Sequence, residues 1–229
     1  VRAIYPIDWN LEYKKAGEGI HLLWDTESVE DVLKDMLKDV DPAHHTSGYA
    51  MDIGCGQGTD LLYLSRKGFQ AVGVDISSDA LREARRRIPS SDCETSSALC
   101  ECTDSQGAEP GINPQRQVVM LLQADGRCLP FRGSAFSLVN DRGCFHHIPV
   151  HERSYFAGEM ARVTESGGIF LLRCFSERYF DAGGAGIILR HDDIIKSFSP
   201  HFLIGEITEY DSFIDTIPVY MCRCRMMRR

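Results

Sequence analysis

Long apolar runs are missing from this 229-residue chain, so it offers no segment of the roughly 20 residues that a membrane-spanning helix takes. The opening stretch, Val1-Arg-Ala-Ile-Tyr-Pro6, has no apolar h-region and raises no expectation of a secretory signal. Positive charge is also in short supply. With 25 Lys and Arg against 33 Asp and Glu, the net charge is −8, and no basic stripe is long enough to follow a phosphate backbone. Nucleic acid is therefore not the expected partner. The local runs at 82–87 and 223–229 read as a solvated helix face and a frayed terminus. Zinc-type C-x2-C pairing is absent too. Cys100 and Cys102, with Cys93 nearby, and Cys222 and Cys224 are spaced by a single residue, so packed thiols and no metal are expected. Nine cysteines, an odd number, without a secretory leader point to reduced thiols and a cytoplasmic setting.

What is present alternates regularly. Apolar positions 29, 32, 33, 36 and 37 predict a helix over 27–38. Strands are expected at 48–53, 70–74, 118–122, 136–139 and 169–175, with a terminal antiparallel pair at 202–210 and 219–225. Helices are expected from about 60 to Gly68, from Ser77-Ser78-Asp79 to Pro89, from 150 to 163 with a stop at Gly167-Gly168, and over 192–198. Residues 90–116 are rich in Ser, Cys, Gly and Pro without periodicity and read as an inserted loop. This order implies an α/β fold: a doubly wound, Rossmann-like, seven-stranded sheet, mostly parallel with a terminal antiparallel strand, and helices on both faces. Ligands of such sheets bind beyond the carboxyl ends of the strands, where Asp52, Asp75, Asp125 and Asp141 all fall.

Gly54, Gly56 and Gly58 form G-x-G-x-G, a turn in which the backbone can approach a ligand closely. Thr59 breaks the G-x-G-x-x-G register of a dinucleotide site, and Asp52 before the loop would repel pyrophosphate but suit a cationic ligand. Asp75 closes the second strand, where a carboxylate can accept two hydrogen bonds from a ribose diol. Its alternative role, capping the next helix, is already filled by Ser77.

Together, the segment Asp52 to Gly58 and Gly73-Val-Asp75 resembles class I methyltransferases that use S-adenosylmethionine (SAM) and release S-adenosylhomocysteine (SAH). The resemblance implies that Asp52, Gly54, Cys55, Gly56 and Gly58 hold the methionine moiety, and that Asp75 with Ile76 holds the ribose side. Asp125 and Gly126, in Gln123-Ala-Asp125-Gly-Arg-Cys-Leu-Pro-Phe131, would meet adenine, and Asn140 at the end of the fourth strand joins the cofactor residues. Asp141-Arg-Gly-Cys-Phe-His-His-Ile-Pro149 is similar to small-molecule methyltransferases of the thiopurine and thiol type. Trp9, Tyr13 and Trp24 are similar to that group's aromatic segment covering the active site. Residues 1–47 are accordingly expected as a helical cover and 48–229 as the SAM-binding domain.

Methyl transfer from a sulfonium is an in-line displacement that depends on alignment and exclusion of water. Only the acceptor's proton needs a base. His146, His147 and Asp141 are the candidates, with His146 preferred; the adjacent histidines can equally serve packing. Arg142 either steadies an anionic acceptor or pairs with Asp141, and Trp24, His147 and Arg142 are the expected acceptor contacts. The expected activity is methylation of a small molecule, a thiol or similar soft nucleophile. Oxygen or nitrogen methylation of a metabolite is the alternative, and a SAM-binding protein without catalysis is the alternative class. Oligomeric state stays open.

Overall fold

The computed structural model describes residues 7–17, 31–44, 47–89, 118–181, 189–211 and 218–226. Trp24 and the insertion at 90–116 lie outside them. The elements in chain order are α1 (Trp9–Gly17), α2 (Asp31–Met36), β1 (Tyr49–Ile53), α3 (Thr59–Arg66), β2 (Gln70–Asp75), α4 (Ser78–Arg87), β3 (Val119–Gln123), β4 (Phe136–Arg142), α5 (Arg153–Val163), β5 (Thr164–Phe175), α6 (Glu177–Asp181), α7 (His191–Phe198), β6 (Phe202–Asp211) and β7 (Pro218–Met226). Two short 3-10 turns, Phe145–His147 and Val150–Glu152, join β4 to α5. None of the described helices is long and apolar enough to cross a membrane.

The strands lie in the order β3-β2-β1-β4-β5-β7-β6. The first five are parallel; β7 runs antiparallel to β5, and β6 antiparallel to β7. This is a Rossmann-like α/β fold. Alternate residues of the central strands feed two cores. One packs Ala50, Leu138, Ile169 and Leu171 against Leu33 and Leu37 around α2 and against Leu61 and Leu64 of α3. The other packs Met51, Val139, Phe170 and Leu172 against Phe156 and Met160 of α5 and Phe198 of α7. That near-continuous apolar character is what a parallel sheet covered on both faces requires.

The helix starts follow the local chemistry. Ser77 caps α4, its Oγ accepting from the Ala80 amide at 3.2 Å. One expectation shifts: Gly167 and Gly168 stand inside β5 and not at a helix stop. Thr164 pairs with Phe136 while Ile169 pairs with Leu138, so extra residues bulge out of the ladder between them. Gly167 takes φ +80° there, and a Cβ at Gly168 would lie 2.8 Å from Thr164 Cγ2 and 2.9 Å from the Glu165 carbonyl oxygen.

The chain leaves β1 for β2 on one side, and later returns to β4 on the other. That reversal opens a crevice at the carboxyl ends of β1 and β4, the position where such sheets hold ligands. Close seating of α3 fixes its floor. A Cβ at Gly73 would lie 2.6 Å from Leu61 Cδ2 and 2.9 Å from Cys55 Sγ. Gly73→Ala should therefore lower stability by about 1–3 kcal/mol through overpacking, read by chemical denaturation. A neutral result would contradict this contact.

Candidate functional site

The loop after β1 turns through three left-handed glycines, with φ of 66° at Gly54, 53° at Gly56 and 85° at Gly58. Both Gly54 N and Cys55 N donate to the Val74 carbonyl, at 2.7 and 3.0 Å. Asp75, at the end of β2, clamps the loop to the head of α4. Its Oδ2 accepts from Gly56 N at 2.9 Å and its Oδ1 from Ser77 N at 2.8 Å. Burial pushes the Asp75 carboxyl up from the ordinary range, against the pull of these amides. A Cβ at Gly56 would lie 2.6 Å from the Tyr13 hydroxyl. Glycine there lets α1 seat its Tyr13 hydroxyl directly on the loop backbone.

The next wall comes from the end of β3. Ala124 N donates to the Asp75 carbonyl at 3.1 Å, and Gln123 Nε2 to the Ile76 carbonyl at 3.0 Å, which sets Asp125 and Gly126 beside Asp75 and Ile76. Ile76 is 48% exposed, an uncovered apolar side chain next to buried Asp75. Asp125 accepts from Arg127 N at 2.9 Å and from Arg127 Nε at 2.9 and 3.1 Å, and these bonds hold its carboxyl below the usual range. Gly126 packs flat: a Cβ there would lie 3.0 Å from Phe156 and 3.2 Å from Ile53.

Polar side chains gather on the α3 face of the sheet because strand register puts them in rows. Asp52 pairs with Asn140, and Arg142 with Arg173. Asn140 Nδ2 donates to Asp52 Oδ1 at 2.7 Å and to Asp60 Oδ2 at 3.3 Å. Arg173 donates to Asp60 Oδ2 and, at 3.2 Å, to Asn140 Oδ1. Arg142 Nε lies 3.6 Å from the same Asp60 oxygen. Asp52, Asp60, Asn140 and Arg173 are all buried. Burial and the charge of Asp60 push the Asp52 carboxyl up to about 8, while the two guanidiniums hold Asp60 low.

Beyond β4, Asp141 caps the following turn. Its Oδ1 accepts from Cys144 N at 2.8 Å and its Oδ2 from Phe145 N at 3.0 Å, with burial raising the carboxyl to about 7. His146 Nδ1 accepts from Phe175 N at 3.0 Å, and its ring stacks on Phe175 with centroids 4.1 Å apart. The Nε2 atoms of His146 and His147 are 2.9 Å apart. A backbone N–H can only donate, so His146 Nδ1 is the acceptor and the neutral ring carries its proton on Nε2. His146 Nε2 therefore donates to His147 Nε2, and His147 carries its own proton on Nδ1. Burial lowers both rings, His146 well below the usual range and His147 to about 4.

Helix α1 spans these parts. Trp9 meets the His147 ring edge-on at 4.6 Å, Asn10 Oδ1 accepts from Ser77 Oγ at 2.9 Å, and Tyr13 lies against Gly56. Trp9 and Tyr13 are four residues apart and share one helix face.

A family model described as a methyltransferase domain matches residues 51–172, more than half of the chain. The chain belongs to this methyltransferase family. Two proteins of Schizosaccharomyces pombe named as uncharacterized methyltransferases are each 27% identical to it over 127 residues, 56% of this chain and 71% of theirs. A solved structure described for conversion of a disulfide bond into a thioacetal group during echinomycin biosynthesis superposes with a TM-score of 0.66 at 19% identity, covering 95% of this chain and 93% of that one. Magnesium protoporphyrin IX methyltransferase of Synechocystis PCC 6803, with bound SAM, superposes with a TM-score of 0.60 at 15% identity, covering 96% and 85%.

In this SAM-dependent methyltransferase the described site residues divide by strand end. The structure gathers Asp52, Gly54, Cys55, Gly56, Gly58, Asp75, Ile76, Asp125, Gly126 and Asn140 around the ends of β1 to β4, with Tyr13 against Gly56, while Trp9 meets His147. Arg142 reaches this group through Asp60, whereas Asp141, His146 and His147 form the turn beyond β4. Sequence reasoning missed Asp60 and Arg173. A signal existed for the second: an arginine inside the apolar run Phe170-Leu-Leu-Arg173-Cys-Phe175 is costly to bury without a partner. The donor chain from Phe175 through His146 to His147 predicts that nitrogen-15 NMR at about pH 6 will find both imidazoles neutral, with His146 protonated on Nε2. An Nδ1 proton on His146 would refute it.

Proposed function

We propose that this methyltransferase moves the methyl group of SAM to a small-molecule acceptor, with a thiol or similar soft nucleophile as the leading class. The observation that carries the small-acceptor reading is the seat of α1: Trp9 on His147, Asn10 on Ser77 and Tyr13 at Gly56 lay one helix across the crevice. A roofed crevice suits a compact molecule, and the net charge of −8 opposes a nucleic-acid acceptor. The Asp141-Arg142-Gly143 segment, similar to thiol-type enzymes, supports the soft nucleophile.

The chain's own groups fit the donor. The turn through Gly54, Gly56 and Gly58, whose own amides are already bonded inside the protein, would bring its backbone close to the methionine moiety, with Asp52 as the partner for its cationic end. Asp75 would accept from the ribose hydroxyls, exposed Ile76 would lie on adenine, and Asp125 beside Gly126 would meet the adenine amino group. When bound, SAM supplies a methyl group already activated on a sulfonium. The protein's task is then to orient the acceptor's lone pair and keep water out. Trp9, His147 and Arg142 would line the acceptor side, with Trp24 as a further contact.

His146 and Asp141 carry position more readily than proton transfer. Each Asp141 oxygen holds a backbone amide, and His146 Nδ1 holds Phe175 N–H. A thiol asks for little more, since a small fraction is already the strongly nucleophilic thiolate at neutral pH.

Calorimetry should find saturable SAM binding that Asp75→Ala weakens roughly 10- to 100-fold, about 1.4–2.8 kcal/mol. No binding by the intact protein would reject the reading. Thiols, selenols, phenols and amines should then be compared by SAH release, and turnover with amines or phenols but no thiol would reject the soft acceptor. In the same assay, Trp9→Ala should lower turnover several-fold while the melting curve stays cooperative; full activity would reject the cover.

A further inference from the structure

The group formed by Asp52, Asn140, Asp60, Arg173 and Arg142 is larger than donor binding at Asp52 alone requires. Only Asp52 among them has an expected partner in the donor that is cationic. Asp60 and Arg173 stand behind it, buried, 113 residues apart in the chain, and linked to Asp52 by hydrogen bonds through the side-chain amide of Asn140. We propose that Asp60 and Arg173 are positioning residues: through Asn140 they set the orientation and charge that Asp52 presents to the ammonium-bearing end of the methyl donor. The proposal rests on the reading of Asp52 as the partner of that end.

The geometry is specific. Asn140 offers one amide with two faces. Its Nδ2 reaches both carboxylates, and its Oδ1 takes a proton from Arg173. With Oδ1 held as an acceptor, Nδ2 must be the end turned to Asp52, so Arg173 fixes which way the amide lies. Asp60 holds Arg173 in turn, and Arg142 approaches the same Asp60 oxygen. The other Asp60 oxygen is buried without a hydrogen-bond partner among the described residues, so this carboxylate is not placed to satisfy itself. Its role is better explained by the charge it sets.

The charges facing Asp52 are Asp60 on α3, Arg142 on β4 and Arg173 on β5, while the thiols of Cys55 and Cys144 in the adjoining loops are pushed up by burial and stay neutral. Asp60 repels an ionised Asp52, and the two arginines favour it. Binding an ammonium favours the ionised carboxylate. Donor affinity should therefore rise with pH through the value of about 8 that the free protein gives Asp52, and fall again once the ligand's own ammonium loses its proton. Removing Arg173 moves that rise to higher pH, and removing the charge of Asp60 moves it lower.

The test is calorimetric titration of the full chain with SAH, which keeps the ammonium, and with methylthioadenosine, which keeps adenine and ribose but lacks the amino-acid end. Near neutral pH, Arg173→Met should weaken SAH about tenfold and move the midpoint of its pH dependence up by about one pH unit. Asp60→Asn should move it down, and the double variant should return within about twofold of the original affinity. Methylthioadenosine should bind all three variants like the parent. Equal weakening of both ligands, which a merely structural role would produce, overturns the proposal. So do SAH profiles that superpose on the parent's while Asp52→Asn binds weakly. Parental SAH binding by Asp52→Asn overturns the underlying reading of Asp52, and the proposal with it. Should Arg173→Met fail to fold, Asp60→Asn decides alone: a lower midpoint supports the proposal and an unchanged one overturns it.

Discussion

Two amides, Gly56 N and Ser77 N, share the carboxylate of Asp75, and the ligand-facing end of the molecule depends on that clamp. It joins the loop after β1 to the start of α4 across the end of β2. Three left-handed glycines lose more conformational freedom on ordering than other residues would. The carboxylate, with the two bonds to the Val74 carbonyl, offsets part of that cost locally. Each oxygen of that carboxylate keeps a lone pair beyond the one bonded to an amide, which is what the proposed ribose contact would use.

Asp75 can act this way because the sheet behind it is rigid. Leu61 sits so close to Gly73 that no side chain fits between α3 and β2, and Gly126 admits none against Phe156 and Ile53. On this packed base stands a costly arrangement, two carboxylates and two guanidiniums around Asn140. Buried ion pairs seldom stabilise a fold as much as an apolar core of the same volume would, because desolvation consumes most of the Coulombic gain. The cluster is therefore better understood by what it does to Asp52, whose carboxyl is pushed up to about 8, than by any contribution to stability.

The turn beyond β4 has a different logic. Asp141 is spent on the turn it caps, and that turn carries His146 to the Phe175 amide and His147 to Trp9. Backbone hydrogen bonding decides the protonation of both rings. The histidines consequently act as a fixed strut between the end of β5 and α1, with burial keeping them uncharged.

The amino-acid sequence alone determined the α/β alternation, the glycine loop, the acid at the end of β2 and the cap at Ser77. These are local patterns, in which strand period, turn chemistry and helix caps operate within a few residues of one another. It also carried Asp125 to the correct strand end. Tertiary structure decided the rest. Gly167 and Gly168 became a bulge because β5 had to pair with β4 on both sides of them. Asp60 and Arg173 met because strand order placed β5 beside β4 and α3 above both, an adjacency that no spacing in the chain encodes. The proton on His146 was set by an amide 29 residues away. Charge and hydrogen bonding act through space, so groups distant in sequence acquired their chemistry only when the sheet closed around them.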